Sequence, residues 1–147
     1  MGQYWLPVNL DKKEFIYPHR LGSGLKLWEQ LANHPGTGAA LVVLCAAMPK
    51  PRGGGDFDLE ESQLEAENYQ AIAQRTIGRW AGDRIALVGD YADCGDLAGE
   101  HRADAIYGEC RDGGSYKDIT NDVCAVIEHE LQGKYTSTGW RRFVHNE

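Results

Sequence analysis

Hydrophobic and polar positions fall along the chain in runs that switch between strand and helix periods. Tyr4-Trp5-Leu6-Pro7-Val8-Asn9-Leu10 is aromatic and apolar, Asp11-Lys12-Lys13 is polar, and Glu14-Phe15-Ile16-Tyr17 turns apolar again, which predicts a β-hairpin. Pro7 has no amide donor, so the pattern puts it on an edge strand or at a bulge. After a loop from Pro18 to Gly24, Leu25, Trp28, Leu31 and Ala32 recur at helical spacing, predicting a helix over about 24–32 with Ser23 as its cap. Gly38 to Met48 is apolar on every side and reads as a buried helix capped by Thr37. The branched pair Val42-Val43 keeps a strand as the alternative.

Pro49 and Pro51 stop that segment, and a glycine triplet then leads into a strongly acidic stretch, so 50–67 reads as a flexible loop. A short helix is expected over about 68–76. Ile77 to Trp80, a turn at Ala81-Gly82-Asp83, and Arg84 to Gly89 read as a second hairpin. Four consecutive apolar residues in its returning strand suggest burial on both faces. Asp96 can cap a helix through Cys110 with Leu97, Ile106, Tyr107 and Cys110 inward, ended by Gly113-Gly114. A short strand over Tyr116 to Ile119 precedes a helix capped by Thr120 or Asn121. Its stripe of Val123, Val126, Ile127 and Leu131 is the best amphipathic pattern in the chain. Helices mixed with hairpins define the class as α+β, a single domain with helices packed on a mainly antiparallel sheet.

Composition sharpens the picture. A chain of 147 residues with 42% hydrophobic and 25% charged residues can bury a core as one domain. Its longest apolar run, Ala39 to Met48, is ten residues, half of what a membrane span needs, and the N-terminal stretch shows no secretion signal; a cytoplasmic protein is expected. With 15 Lys+Arg against 22 Asp+Glu, the net charge of −7 speaks against general nucleic-acid binding and suits a basic partner. Cys45, Cys94, Cys110 and Cys124 contain no C-x-x-C pair, so reduced thiols are expected, with Cys45 and Cys124 buried as small apolar residues.

Candidate chemistry is sparse. Gly22-Ser23-Gly24 and Gly36-Thr37-Gly38 precede helices, but neither is a nucleotide-binding fingerprint, and turns with capping hydroxyls explain both. Asp83, Asp90, Asp93, Asp96 and Glu100 lack the spacing of a calcium loop, and Cys94, His101 and Cys110 lack that of a zinc site; no metal or cofactor is expected. His19 could serve as a general base beside Asp11 or Glu29, with Lys26 on an anionic group, and Asp83 and Asp90 are the remaining acid–base candidates. The acidic residues Asp56, Asp58, Glu60 and Glu61 read either as a solvated face or as an anionic arm for a basic surface. Trp140-Arg141-Arg142-Phe143 has the residue types of interface hot spots.

Two stretches are similar to a family of small proteins of bacteria, bacteriophages and some fungi for which no activity is established. MGQYWLPVNLDKKE from Met1, continuing to His19 and through Gly24-Leu-Lys-Leu-Trp-Glu29, resembles the opening of that family. GRWAGDRIALVGDY from Gly78, with Tyr116-Lys-Asp-Ile119, resembles its later motifs. The resemblance implies a distinct fold module carried on mobile elements. It makes the polar residues of the matching motifs the first site candidates: Asn9, Asp11, His19, Lys26, Glu29, Asp83, Asp90 and Tyr91. Trp5 and Trp80 fit core or pocket walls.

The expected function is therefore an acidic binding protein, phage or mobile-element encoded, that acts on a host macromolecule such as a defence component. The alternative is a small enzyme or ligand binder. Its polar pocket would lie between the first hairpin, the Gly24 helix and the segment Trp80 to Tyr91.

Overall fold

The computed structural model describes residues 2–32, 35–57 and 67–131. Its elements in chain order are β1 (Trp5–Asn9), β2 (Glu14–Phe15), a 3-10 helix (Pro18–Leu21), α1 (Glu29–Ala32), α2 (Gly36–Cys45), α3 (Glu67–Thr76), β3 (Ile85–Gly89), α4 (Ala103–Arg111), β4 (Lys117–Asp118) and α5 (Thr120–Leu131). The strands form one sheet in the order β3-β1-β2-β4, giving an α+β arrangement. β1 pairs antiparallel with β2 and with β3, whereas β4 lies parallel to β2, so the sheet is mixed rather than purely antiparallel. Among the described residues no helix is long and apolar enough to cross a membrane.

Pro7 occupies a central strand, not an edge or a bulge, and the pairing shows why it is tolerated. Leu6 and Val8 face Val88 and Ala86 of β3, and the flanking bonds Leu10 N–H to Arg84 O and Asp90 N–H to Tyr4 O set the even-numbered residues of β1 as the ones bonded to β3. Successive residues of an antiparallel strand point their amides to opposite neighbours. The missing donor of Pro7 thus faces β2. There Ile16 N–H donates to Pro7 O at 3.2 Å, no return bond forms, and β2 has already ended at Phe15.

The sheet separates two apolar clusters. Leu6, Val8, Phe15 and Val88 pack on one face with Ile106 and Cys110 of α4 and with Tyr116. Ile16 joins Leu21, Trp80 and the inner faces of α2, α3 and α5 in the other. The α5 stripe Val123, Val126 and Ile127 is buried as its spacing required. Gly78, at φ +74°, sits where a Cβ would lie 2.6 Å from the Ala46 carbonyl oxygen, so only glycine fits. From there the amides of Gly78 and Trp80 donate to the carbonyls of Val43 and Leu44, closing the last turn of α2.

Four local expectations are corrected. Only Glu29–Ala32 is helical in the segment expected as 24–32, and Trp28 and Leu31 stand 77% and 67% exposed. The second hairpin does not form: 77–83 is a succession of turns, and β3 joins β1, leaving Ile85 and Leu87 40% exposed. α4 starts at Ala103, because Asp96 accepts from Asp93 N–H in a tight turn and Gly99 takes φ +84°. α2 is buried on one side only, with Val42 and Cys45 exposed, while Cys110 joins Cys124 inside.

That distribution sets thiol reactivity. Burial pushes Cys110 and Cys124 up to about 12, and partial desolvation raises Cys45 as well. Titration of the native protein with a disulfide reagent near neutral pH is expected to modify Cys94 first and Cys45 next. Cys110 and Cys124 should react only on unfolding; rapid native labelling of either would contradict the packing.

Candidate functional site

The most deeply set charge among the described residues is Glu14, 3% exposed on the sheet face turned toward the helices. Arg79 donates from Nε at 2.9 Å and from Nη2 at 2.5 Å, and the Trp80 indole N–H adds a bond at 3.0 Å. The Arg79 side chain keeps 36% of its surface in water, so its own desolvation is partial. With the neighbouring turn amides on α2, Gly78-Arg79-Trp80 joins the sheet to the helical layer.

The first hairpin turn is clamped to the chain entering β3. Asn9, fully buried, accepts from the amides of Asp11 and Lys12 through Oδ1 and donates from Nδ2 to Asp83 at 2.9 Å. Lys12 ion-pairs with the same Asp83 carboxylate. Asp11 receives Arg84 through its backbone N–H at 2.7 Å and through two guanidinium bonds. Both carboxyls are held below the usual range, Asp11 by the Arg84 side chain and Asp83 by Lys12 and Asn9. Asn9, Asp11 and Asp83 thus come together, and what they build is a turn lock (Asn9 and Asp83 spanning two turns, Asp11 gripping Arg84).

The other candidates are elsewhere. Asp90 lies beyond the far end of β3 from Asp83, where it accepts from Tyr4 N–H at 2.9 Å; Tyr91 follows it, 56% exposed. Seven extended residues span about 20 Å, so Asp83 and Asp90 do not meet. His19 sits exposed on the 3-10 helix with its ring 5.9 Å from Tyr17. Glu29 accepts from Lys26 N–H, a local closure of the turn into α1. Asp56 accepts from the amides of Arg52 and Gly53, which hold its carboxyl low. Asp58, Glu60, Glu61 and the Trp140–Phe143 stretch lie outside the described residues. Among the described residues no three His, Cys, Asp or Glu side chains group as a metal ion would need.

Sequence reasoning missed a buried polar knot. Ser23 does not cap a helix at Gly24; its hydroxyl accepts Thr37 N–H at 3.2 Å, in the first turn of α2. Thr37 donates to Gln30 Oε1 at 2.7 Å, and the Gln30 amide reaches the carbonyls of Gly24 and Trp5. A serine and a threonine each preceding a glycine was the available signal, but the partner lay across the chain rather than in the next turn.

Apolar side chains also stand at the surface of the described residues. Leu31 lies beside Gly38 of α2, and one turn on from Gly38 stands Val42, 64% exposed. Val42 also lines an open groove of about 620 Å³ with Ala39, Val43, Phe57, Ile127 and Leu131, with Asp56 and Glu130 among its lining. Trp28 and Leu31 follow one another through the turn into α1, Leu31 lies beside α2, and on α2 Val42 lines the groove, whose walls include the acidic Asp56 and Glu130. Compared with protein-family models, curated proteins and solved structures, the chain matches none.

The turn lock has a pH signature. Asp11 and Asp83 hold protons less readily folded than at their ordinary value of 3.8, so as pH falls the unfolded chain is protonated first. The stability they give is full above that value and is lost as pH falls through the lowered folded values. Denaturant melts between about pH 4.5 and 2 should show a shallower loss of stability in Asp11→Asn and Asp83→Asn than in the parent. Parallel slopes would contradict the clamp.

Proposed function

We propose that this chain is a binding protein that takes an apolar, basic-flanked segment of a partner protein along the Trp28–Leu31–Val42 strip and into the adjoining groove. The observation that carries this is that Trp28, Leu31 and Val42 are the most exposed large apolar side chains among the described residues, and that Val42 lines an apolar groove. Contiguous exposed apolar surface of this kind marks interaction sites, and tryptophan is enriched among the side chains that dominate binding energy. Asp56 and Glu130 at the groove, and a net charge of −7, favour a basic flank on the occupant. With Asn9, Asp11, Asp83, Asp90 and Glu29 engaged in holding turns and strand ends, binding is better supported than the pocket-enzyme alternative. In the reading of the chain as phage or mobile-element encoded, the partner is a host protein.

Native mass spectrometry of protein purified gently from a lysate of its own host tests this. A stoichiometric complex is expected for the parent and for Arg102→Ser, which changes an exposed side chain beside α4. Trp28→Ser and Val42→Asp should reduce the complex at least about tenfold, the effect of removing a hot-spot contact. A complex that survives both substitutions, or a bare 16.3 kDa mass or its multiple for the parent, would overturn the proposal.

A further inference from the structure

The two edges of the sheet are built differently. β4 is two residues long and both, Lys117 and Asp118, are charged. Short, charged edges are how natural sheets discourage pairing with another chain. β3 is five residues, Ile-Ala-Leu-Val-Gly, with no proline or charge in it. Because its even-numbered residues bond to β1, the N–H and C=O groups of Ile85 and Leu87 point outward, and among the described residues no hydrogen bond reaches them. The Ile85 and Leu87 side chains, on one face of that edge, are each 40% exposed.

We infer that two copies of this chain pair antiparallel through β3, with the two-fold axis at Leu87, joining two four-stranded sheets into one. In that register Leu87 faces Leu87 of the other copy as a hydrogen-bonded pair, and Ile85 faces Gly89. The strand's flanks complete the match: Arg84 stands opposite Asp90 of the other copy at both ends, since both lie three residues from Leu87. Opposite charges directly across a strand pair favour that register, and a one-residue slip would lose the match and turn the apolar side chains to the other face. The Asp90 carboxylate uses Oδ1 on the Tyr4 amide, and Arg84, 67% exposed, gives Nε and Nη2 to Asp11 of its own chain and keeps Nη1 for Asp90 of the other copy. The dimer uses a different surface from the α1–α2 strip and stands independently of the proposed function.

Cysteine crosslinking fixes the register. In a Cys45→Ser/Cys94→Ser background, which removes the exposed thiols, Leu87→Cys should oxidise to a disulfide-linked dimer, because directly paired Cα atoms lie about 5.5 Å apart. Ile85→Cys, whose counterpart is four residues away along the strand, should crosslink roughly tenfold more slowly or less. Sedimentation velocity over a range of concentrations should show the parent shifting to dimer. Leu87→Pro should stay monomeric and folded by circular dichroism, since its lost amide points outward. A parent monomeric at every concentration, equal crosslinking at both positions, or a dimer that persists in folded Leu87→Pro would each overturn the proposal. If Leu87→Pro fails to fold, the crosslinking pair decides alone.

Discussion

The fold hangs on a carboxylate taken out of water. Glu14 sits on the second strand, on the sheet face covered by helices, where a charge without a partner would cost several kcal/mol. Its partners arrive from the turn after α3: Arg79 supplies the countercharge and Trp80 a further donor. Trp80 is itself 1% exposed in the helical core, and its amide and that of Gly78 end α2. One short turn therefore holds the sheet, the core tryptophan and the end of a helix together. A buried ion pair adds little over an apolar substitute, yet removing one member is expensive. That asymmetry makes the pair a constraint on how the layers meet rather than a reservoir of stability.

The same logic runs through the other polar positions. Asn9 is the buried hub of the hairpin turn, Asp83 and Lys12 bind its rim, and Asp11 grips Arg84 where the chain enters β3. Ser23, Gln30 and Thr37 satisfy one another beneath α2. Residues that look like chemistry in a linear reading thus hold turns and layers in place. The large apolar side chains that stand exposed look like core in the sequence: Trp28, Leu31 and Val42 in the α1–α2 segment, Ile85 and Leu87 on β3.

The strands at 4–17, the helices at 68–76 and 120–131 and the α+β class were legible, because local period and turn residues agreed with the final packing. The helix over 24–32 was misread for a physical reason. Its apolar residues keep helical spacing through the bends and turns at 25–28 as well as through Glu29–Ala32, and spacing alone does not show where a helix begins. Pro7 suggested an edge, yet the strand is central; only the alternation of amides between two neighbours, and the early end of β2, shows how it fits. The parallel placement of β4 was hidden because two residues carry almost no pattern. Of the candidate site, the residue names were legible and their role was not. Asn9 and Asp83 are 74 positions apart, and no local pattern reports their contact.

The Glu14–Arg79 pair, not local propensity, sets the sheet against the helices. Urea unfolding of Glu14→Gln beside the parent measures what the pair contributes. A loss of about 3 kcal/mol is expected, the lower part of the range for breaking a buried pair because Arg79 keeps some exposure to water. The denaturant slope should stay unchanged, since the native layers still meet. A loss within about 0.5 kcal/mol, the scale of an ordinary surface substitution, would contradict it.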